Sequence, residues 1–261
     1  MIGTQEVTLW KRCGVLQITN LLELEEVHTL RNYMNLLAAM DVPTTKQALF
    51  THVAPPARTG SFANLMRQWF NPHLHDEFGV TRQIAARVGR LLRPLLAEVP
   101  TLFQDVLMAK NASHDEFPWH QDEPFWPVDT AGGVVVWCAL DAIDVGNGGL
   151  QLLLESHHGG LGPAIDLYTG QAQPETGSPI PELSTYKRFH VNLSPGDAVL
   201  FHPRIWHSSG RNVTGTNRRV WGSSWLPSNA RWDKAKAPRH PLCSQVTDGA
   251  AIGDRNITEP T

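Results

Sequence analysis

Residues 195–202 read PGDAVLFH. Pro195-Gly196-Asp197 is a turn signal: proline presets one turn dihedral, glycine accepts a left-handed one, and a short acid bonds back to its own backbone. The apolar run that follows has the length and composition of a buried strand near 197–202. Runs of the same kind recur near 103–110, 117–122, 133–141, 149–154, 189–193 and 217–226. Between two of them, Gly146-Asn147-Gly148-Gly149 reads as a hairpin turn. Many short strands separated by turns predict a sandwich or barrel, such as a jelly roll.

Upstream the periodicity changes. Asn20 and Glu23 have the spacing of a capping box, and Leu24, Val27, Leu30, Met34 and Leu37 recur at helical intervals, predicting a helix over 20–40. A second helix is predicted from Thr81 to Glu98, with Ile84, Val88, Leu91, Leu92 and Leu95 inward and a kink or break at Pro94. Residues 41–78, with Pro55-Pro56 and Asn71-Pro72, read as irregular. Helices first and strands after predict a mainly β fold with helices packed on one face of its core. The expected organisation is a single domain over 1–261. It comprises a helical part (1–100), a β core (101–227) carrying a long loop at 157–188 rich in Gly, Pro, Ser and Thr, and a polar surface tail (228–261).

The totals exclude several classes. The chain has 261 residues, 41% of them hydrophobic, enough for a substantial core. A net charge of −3 offers no electrostatic grip on nucleic acid or anionic lipid. Three cysteines, Cys13, Cys138 and Cys243, are far apart and form neither a disulfide framework nor a metal clip. With no secretory pattern at the start and no apolar run of spanning length, the expectation is a soluble cytoplasmic protein.

Twelve histidines raise the question of a metal. The stretch Pro118–Trp126, PWHQDEPFW, sets one histidine and two acids among aromatic rings and prolines. In a strand, residues i and i+2 share a face about 7 Å apart, so His120 and Asp122 are a candidate pair. His75/Glu77 and His114/Glu116 have the same spacing, and local pattern does not choose among the three. A third ligand would come from Phe201–Gly210, FHPRIWHSSG, which offers His202 and His207. Two imidazoles and a carboxylate with open positions are the donor set of non-haem Fe(II) oxygenases, although a zinc site or no metal at all fits the local pattern too.

Three blocks carry a resemblance: WHQD at 119–122, NGGLQLLLESH at 147–157, and PGDAVLFHPRIWHSSGRN at 195–212 followed by Asn217-Arg218-Arg219. Their order and spacing over residues 104–226 resemble the phytanoyl-CoA dioxygenase-like family of Fe(II)/2-oxoglutarate-dependent oxygenases. The resemblance implies a double-stranded β-helix core of the jelly-roll or cupin kind. It places metal ligands on His120, Asp122 and His207, and makes His202 a packed strand-end histidine. It puts the arginine that pairs with the far carboxylate of 2-oxoglutarate on Arg218, whose planar fork suits a carboxylate. Arg219, of opposite strand parity, should face away. Ser209 falls where the same carboxylate can be bonded. Trp137 falls where relatives line the co-substrate pocket, with core packing beside Val135 as the other reading. Lys110 falls where several relatives carry a lysine, and is either a co-substrate contact or a solvated strand end. One departure is Glu155, which stands where the family has a turn glycine.

The function implied is oxidation of a C–H bond, most simply hydroxylation, using Fe(II), 2-oxoglutarate and O2 and releasing succinate and CO2. Asp122 argues against halogenating relatives, which lack that acid. Phe117, Trp119, Phe125 and Trp126 are expected to wall the metal or to pack as ordinary core, and Glu123 to be a solvent-exposed rim residue. No dense basic patch suits a coenzyme A tail, so the expected substrate is a small organic molecule such as a natural-product intermediate. A cupin-like metal hydrolase or isomerase, and a non-catalytic binding module, are the alternative classes.

Overall fold

The computed structural model describes residues 2–39, 67–75, 79–97, 100–112, 116–129, 132–165, 172–173, 181–237 and 240–254. The strands that build the core are β1 (Val15–Ile18), β2 (Arg67–Phe70), β3 (Thr101–Lys110), β4 (Phe117–His120), β5 (Val134–Ala139), β6 (Leu150–Leu153), β7 (Arg188–His190), β8 (Ala198–Phe201), β9 (His207–Ser209) and β10 (Arg218–Leu226). They form two antiparallel sheets, a 6-stranded one ordered β1-β8-β5-β10-β3-β2 and a 4-stranded one ordered β7-β6-β9-β4. From β4 onward the chain crosses between the sheets at almost every connection, which is the double-stranded β-helix expected of the sequence.

Strand β5, VVVWCA, is buried along its whole length. Val134, Val136 and Cys138 face the helices with Leu107, Leu200 and Trp221. Val135, Trp137 and Ala139 face the space between the sheets with Leu152, Val199 and Val220. A strand covered on both faces reads as a continuous apolar run, and each such side chain stabilises the fold by about 1.5–3 kcal/mol relative to exposure.

Three helices cover the outer face of the larger sheet: α1 (Thr4–Cys13), α2 (Leu24–Ala39) and α3 (Val80–Leu96). Helix α2 buries Val27, Leu30, Met34 and Leu37, the stripe read from the sequence. Helix α3 buries Ile84, Val88 and Leu92 and continues past Pro94 to Leu96. Its Gly89 allows close approach to the sheet, since a Cβ there would lie 2.8 Å from Trp225 Cζ3.

Other local expectations are corrected. Asn20 does not cap α2: it sits in the left-handed region (φ 51), with its N–H donated to Asp197 Oδ1 at 2.9 Å. The cap is one-sided, the Glu23 N–H donating to Glu26 Oε2 at 2.9 Å. Helix α1 and strand β1 went unread because α1 buries little beyond Trp10 and β1 has only 4 residues. Strand β2 lies within the stretch read as irregular, so residues 1–100 give strands to the larger sheet as well as helices. Residues 41–66 and 76–78 of that stretch lie outside the described residues.

Gly146–Gly149 does not close a hairpin, for β5 and β6 belong to different sheets. The tail is not a polar wrap. Arg231–Trp232 pairs with Val128–Asp129, and Trp232, Leu242 and Ile252, each 2% exposed or less, join the core between the sheets. In the long loop, Ala164–Ile165 pairs with Ala172–Gln173, and Leu183–Thr185 forms one 3-10 turn.

Candidate metal centre

Strands β4 and β9 are antiparallel neighbours, and His120 is the cross-strand partner of His207. Both rings lie on the inner face, with centroids 4.1 Å apart. His120 Nδ1 donates to Pro118 O at 2.8 Å and His207 Nδ1 to Ile205 O at 2.9 Å. A carbonyl only accepts, so each Nδ1 carries the proton and each Nε2 presents a lone pair. Asp122 Oδ1 lies 3.6 Å from both Nε2 atoms. These separations are too long for hydrogen bonds, and a single ion can touch all three groups, whose donor atoms lie within 4.8 Å of one another.

The acid does not arrive by strand alternation. Strand β4 ends at His120, and Asp122 has φ −81 and ψ −39, leading into a 3-10 turn at Glu123–Phe125. The chain turns the carboxylate back toward the two rings.

Burial governs the protonation of this cluster. Desolvation, with the neighbouring His207, pulls His120 down to about 3, and desolvation pulls His207 down to about 4, so both imidazoles are neutral at pH 7. Desolvation pushes the Asp122 carboxyl up to about 6, partly opposed by His120. Buried lone pairs around a carboxylate that burial disfavours suit a cation. The side chain of Asp122 keeps 24% exposure, so this flank faces outward. Phe117 and Phe201 pack against His120 and His207, each with centroids at 4.8 Å, and Phe125 meets His120 edge-on at 6.2 Å. Of the other aromatics in the opening motif, Trp126 packs on Phe103 in the core, and Trp119 lies under the Arg188 guanidinium at 5.4 Å.

A second cluster joins the larger sheet to β9 of the smaller one. Arg218 and Lys110 are cross-strand partners, and both are fully buried. Lys110 Nζ donates to Ser209 Oγ at 2.9 Å, to Ser209 O at 3.2 Å and to Gly210 O. Arg218 Nη2 donates to Ser209 Oγ at 3.3 Å, and that hydroxyl donates to Gly148 O at 2.8 Å. The guanidinium lies over the Trp137 ring, 5.1 Å from its centroid. Arg218 Nε and Nη1 are buried with no partner among the described residues. Desolvation lowers Arg218 to about 9, with Asp141 opposing. Asp141 is engaged elsewhere, by Arg31 at 2.9 Å and by both prongs of Arg219 at 2.8 and 2.9 Å. A buried guanidinium with idle donors is costly, and a planar anion would satisfy it.

Each sequence candidate thus has a place. His120, Asp122 and His207 converge, and Arg218, Ser209, Trp137 and Lys110 form one connected cluster two residues along β9 from His207. Lys110 is no solvated strand end. Trp137 also packs in the core with Val135. Arg219 points the other way. His202 lies outside the triad, stacked between Trp10 and His157 at 6.2 and 5.1 Å. The His75 side chain, Glu77 and His114 lie outside the described residues. Glu123 is corrected from solvent rim to buried ion pair: it is 7% exposed and held by Arg204 at 2.8 and 2.6 Å. Its partner lies 81 residues away in sequence, a distance that no local pattern reveals.

Fold and site together define a jelly-roll protein with a two-histidine, one-carboxylate centre on neighbouring strands of its smaller sheet. The chain belongs to the phytanoyl-CoA dioxygenase (PhyH) family, whose model matches residues 10–220. It is 31% identical over 129 residues to the peroxisomal phytanoyl-CoA dioxygenase of Rattus norvegicus, covering 46% of this chain and 36% of that one. It is 33% identical over 113 residues to a probable phytanoyl-CoA dioxygenase of Caenorhabditis elegans, covering 40% and 34%. The matches thus span about a third of the length of these curated relatives. Among solved structures, the epimerase SnoN in complex with Fe3+, alpha ketoglutarate and nogalamycin RO superposes with TM-score 0.75 at 22% identity, over 95% of each chain. EctD from S. alaskensis superposes with TM-score 0.72 at 23% identity, over 97% of this chain and 86% of that one.

Proposed function

We propose that this chain is an Fe(II)- and 2-oxoglutarate-dependent dioxygenase that hydroxylates, or otherwise oxidises, an unactivated C–H bond of a small organic molecule. The observation that carries the reading is the pairing of two sites in one barrel: a triad of two buried histidines, His120 and His207, with the half-buried Asp122, and a buried Arg218 fork with two idle donors. The donor set suits Fe(II), and the idle fork suits the far carboxylate of a keto acid.

Bound iron and 2-oxoglutarate would supply the oxidising chemistry, consuming O2 and releasing succinate and CO2. The protein's part is positioning and exclusion. His120 and His207 offer neutral nitrogens held by Pro118 O and Ile205 O, and Asp122 supplies the negative charge. Arg218 grips the distal carboxylate, with Lys110 adding positive charge through Ser209 and Trp137 backing the guanidinium. Phe117, Phe125 and Phe201 keep water from the rings.

A natural-product intermediate is the favoured substrate over an acyl-CoA. Arg204 and Arg219 are each committed to a carboxylate, which leaves neither fork for the phosphates of a coenzyme A tail. The fold serves such chemistry elsewhere, as in SnoN of nogalamycin biosynthesis. The described residues contain no helix long and apolar enough to cross a membrane, and we assign the chain to the cytoplasm as one domain over 1–261.

The test is spectroscopic. Anaerobic Fe(II) and 2-oxoglutarate added to metal-free protein should give a weak visible charge-transfer band, absent with zinc and in Asp122→Ala. A folded protein that gives no band under these conditions would refute the oxygenase reading.

A further inference from the structure

Asp122 is the least supported of the three metal donors. The two histidines stand on paired strands and each ring is held by a hydrogen bond. Asp122 lies past the end of β4, and among the described residues its carboxylate meets only the two imidazole nitrogens at 3.6 Å. Both of its neighbours, by contrast, are tied down by buried polar side chains.

Gln121, fully buried, donates through Nε2 to Arg204 O at 2.6 Å and Gly160 O at 3.1 Å, while its Oε1 accepts from Gly162 N at 2.6 Å. Glu123 receives both prongs of Arg204. Between them, the Asp122 and Glu123 N–H groups converge on Pro203 O at 2.9 and 3.3 Å. The segment bearing Asp122 is therefore fastened on both sides to the segment that runs into His207, and to Gly160 and Gly162 at the start of the long loop. There is no room to spare at that joint: a Cβ on Gly162 would lie 2.3 Å from Trp206 Cζ2 and 3.1 Å from Gln121 Oε1.

We infer that Gln121, Glu123 and Arg204 form a clasp whose task is to position the Asp122 carboxylate against the two imidazoles, and so to set the affinity of the site for its metal. The clasp rests on the metal-binding part of the proposed function and goes beyond it. Two physical points favour positioning over bare stability. A buried ion pair contributes little to stability compared with apolar side chains of similar size, so its presence calls for another use. An acid next to a metal ligand is also a rival donor, and the two-pronged contact with Arg204 occupies both oxygens of Glu123 and cancels its charge. Glu123 and Arg204 are thus positioning residues, acting through Asp122.

The test uses Mn(II) as a redox-inert probe, titrated into metal-free full-length protein with free Mn(II) followed by paramagnetic resonance. Arg204→Lys keeps the charge and loses the fork; Glu123→Gln keeps the shape and loses the charge. The expected result is a Kd for Mn(II) raised about 10–100-fold in both variants, the range for groups that orient metal ligands. The thermal midpoint of each metal-free variant should fall, since altering one partner of a buried pair is costly, so Mn(II) is titrated at a temperature where each variant is folded. If one variant fails to fold, the other decides. Unchanged affinity in a folded variant overturns the clasp alone, and loss of folding in both makes the cluster a folding element and overturns it too. Wild-type protein that binds no Mn(II) overturns the metal reading and the clasp with it, whereas failure of 2-oxoglutarate to give its band leaves the Mn(II) result standing.

Discussion

At the scale of the residue, the barrel turns on a few side chains whose burial is at odds with their chemistry. Arg218 is the sharpest case: a wholly buried guanidinium, stacked on Trp137, with two idle donors, while Asp141, the acid that acts on it, is already engaged by Arg31 and Arg219. On the proposed reading, Arg218→Lys keeps a positive charge but cannot present two parallel N–H groups. A charge-assisted hydrogen bond contributes about 1.5–3 kcal/mol, so KM for 2-oxoglutarate should rise about 10–100-fold with the metal affinity unchanged. A KM equal to the wild type, measured by succinate release, would show that the keto acid binds elsewhere. The arginine was legible through the resemblance, which places it on Arg218. Its idle donors were not, since they depend on what β3, β5 and β9 place around it.

At the scale of the element, turns govern where the ligand-bearing strands begin and end. Strand β6 runs into Glu155, which adopts φ 68 and ψ −3 ahead of the 3-10 turn at Ser156–Gly159. A non-glycine residue pays about 1–2 kcal/mol for this left-handed conformation. The sequence marked the position as a departure, and the backbone keeps the shape that glycine would take there. Glu155→Gly is therefore expected to raise stability by about 1 kcal/mol, after allowing for the entropy that glycine adds to the unfolded chain. The measurement is the denaturant midpoint, and a lower midpoint would mean that the Glu155 side chain offsets its own strain. Strand lengths were legible because β5 and β8 are apolar on both faces. Strand alternation makes Asp122 a candidate partner of His120 and the resemblance assigns it to the site, but a bend after β4, rather than the pleat of a strand, brings its carboxylate there.

At the scale of the whole molecule, several histidines are buried neutral at once. Desolvation holds His120 and His202 at about 3 and His207 at about 4, against 6.5 for the free side chain. Below pH 6.5 the unfolded chain binds protons that the folded one refuses, so stability is full above that pH and drains away as pH falls toward 4. Asp122, raised to about 6, works the other way between 3.8 and 6, but it is a single group. The thermal midpoint of the metal-free protein should therefore fall between pH 7 and pH 5. His202→Gln, which leaves the triad intact, should make that slope shallower. A midpoint flat across this range would show that these rings take protons while folded.

Read alone, the sequence determined the class of fold, the helical stripe of α2, the buried strands, and a short roster of residues for the site. The stripe, the strands and the broad class of fold follow from periodicity and turn chemistry, which are local properties, while the roster follows from the resemblance to the phytanoyl-CoA dioxygenase-like family. Tertiary structure decided what local properties do not carry. The tail plugs the barrel, Gly146–Gly149 spans two sheets, Lys110 is buried, and Glu123 is spoken for by Arg204. Each depends on which distant segment arrives opposite, and that is set by how the sheets close on one another.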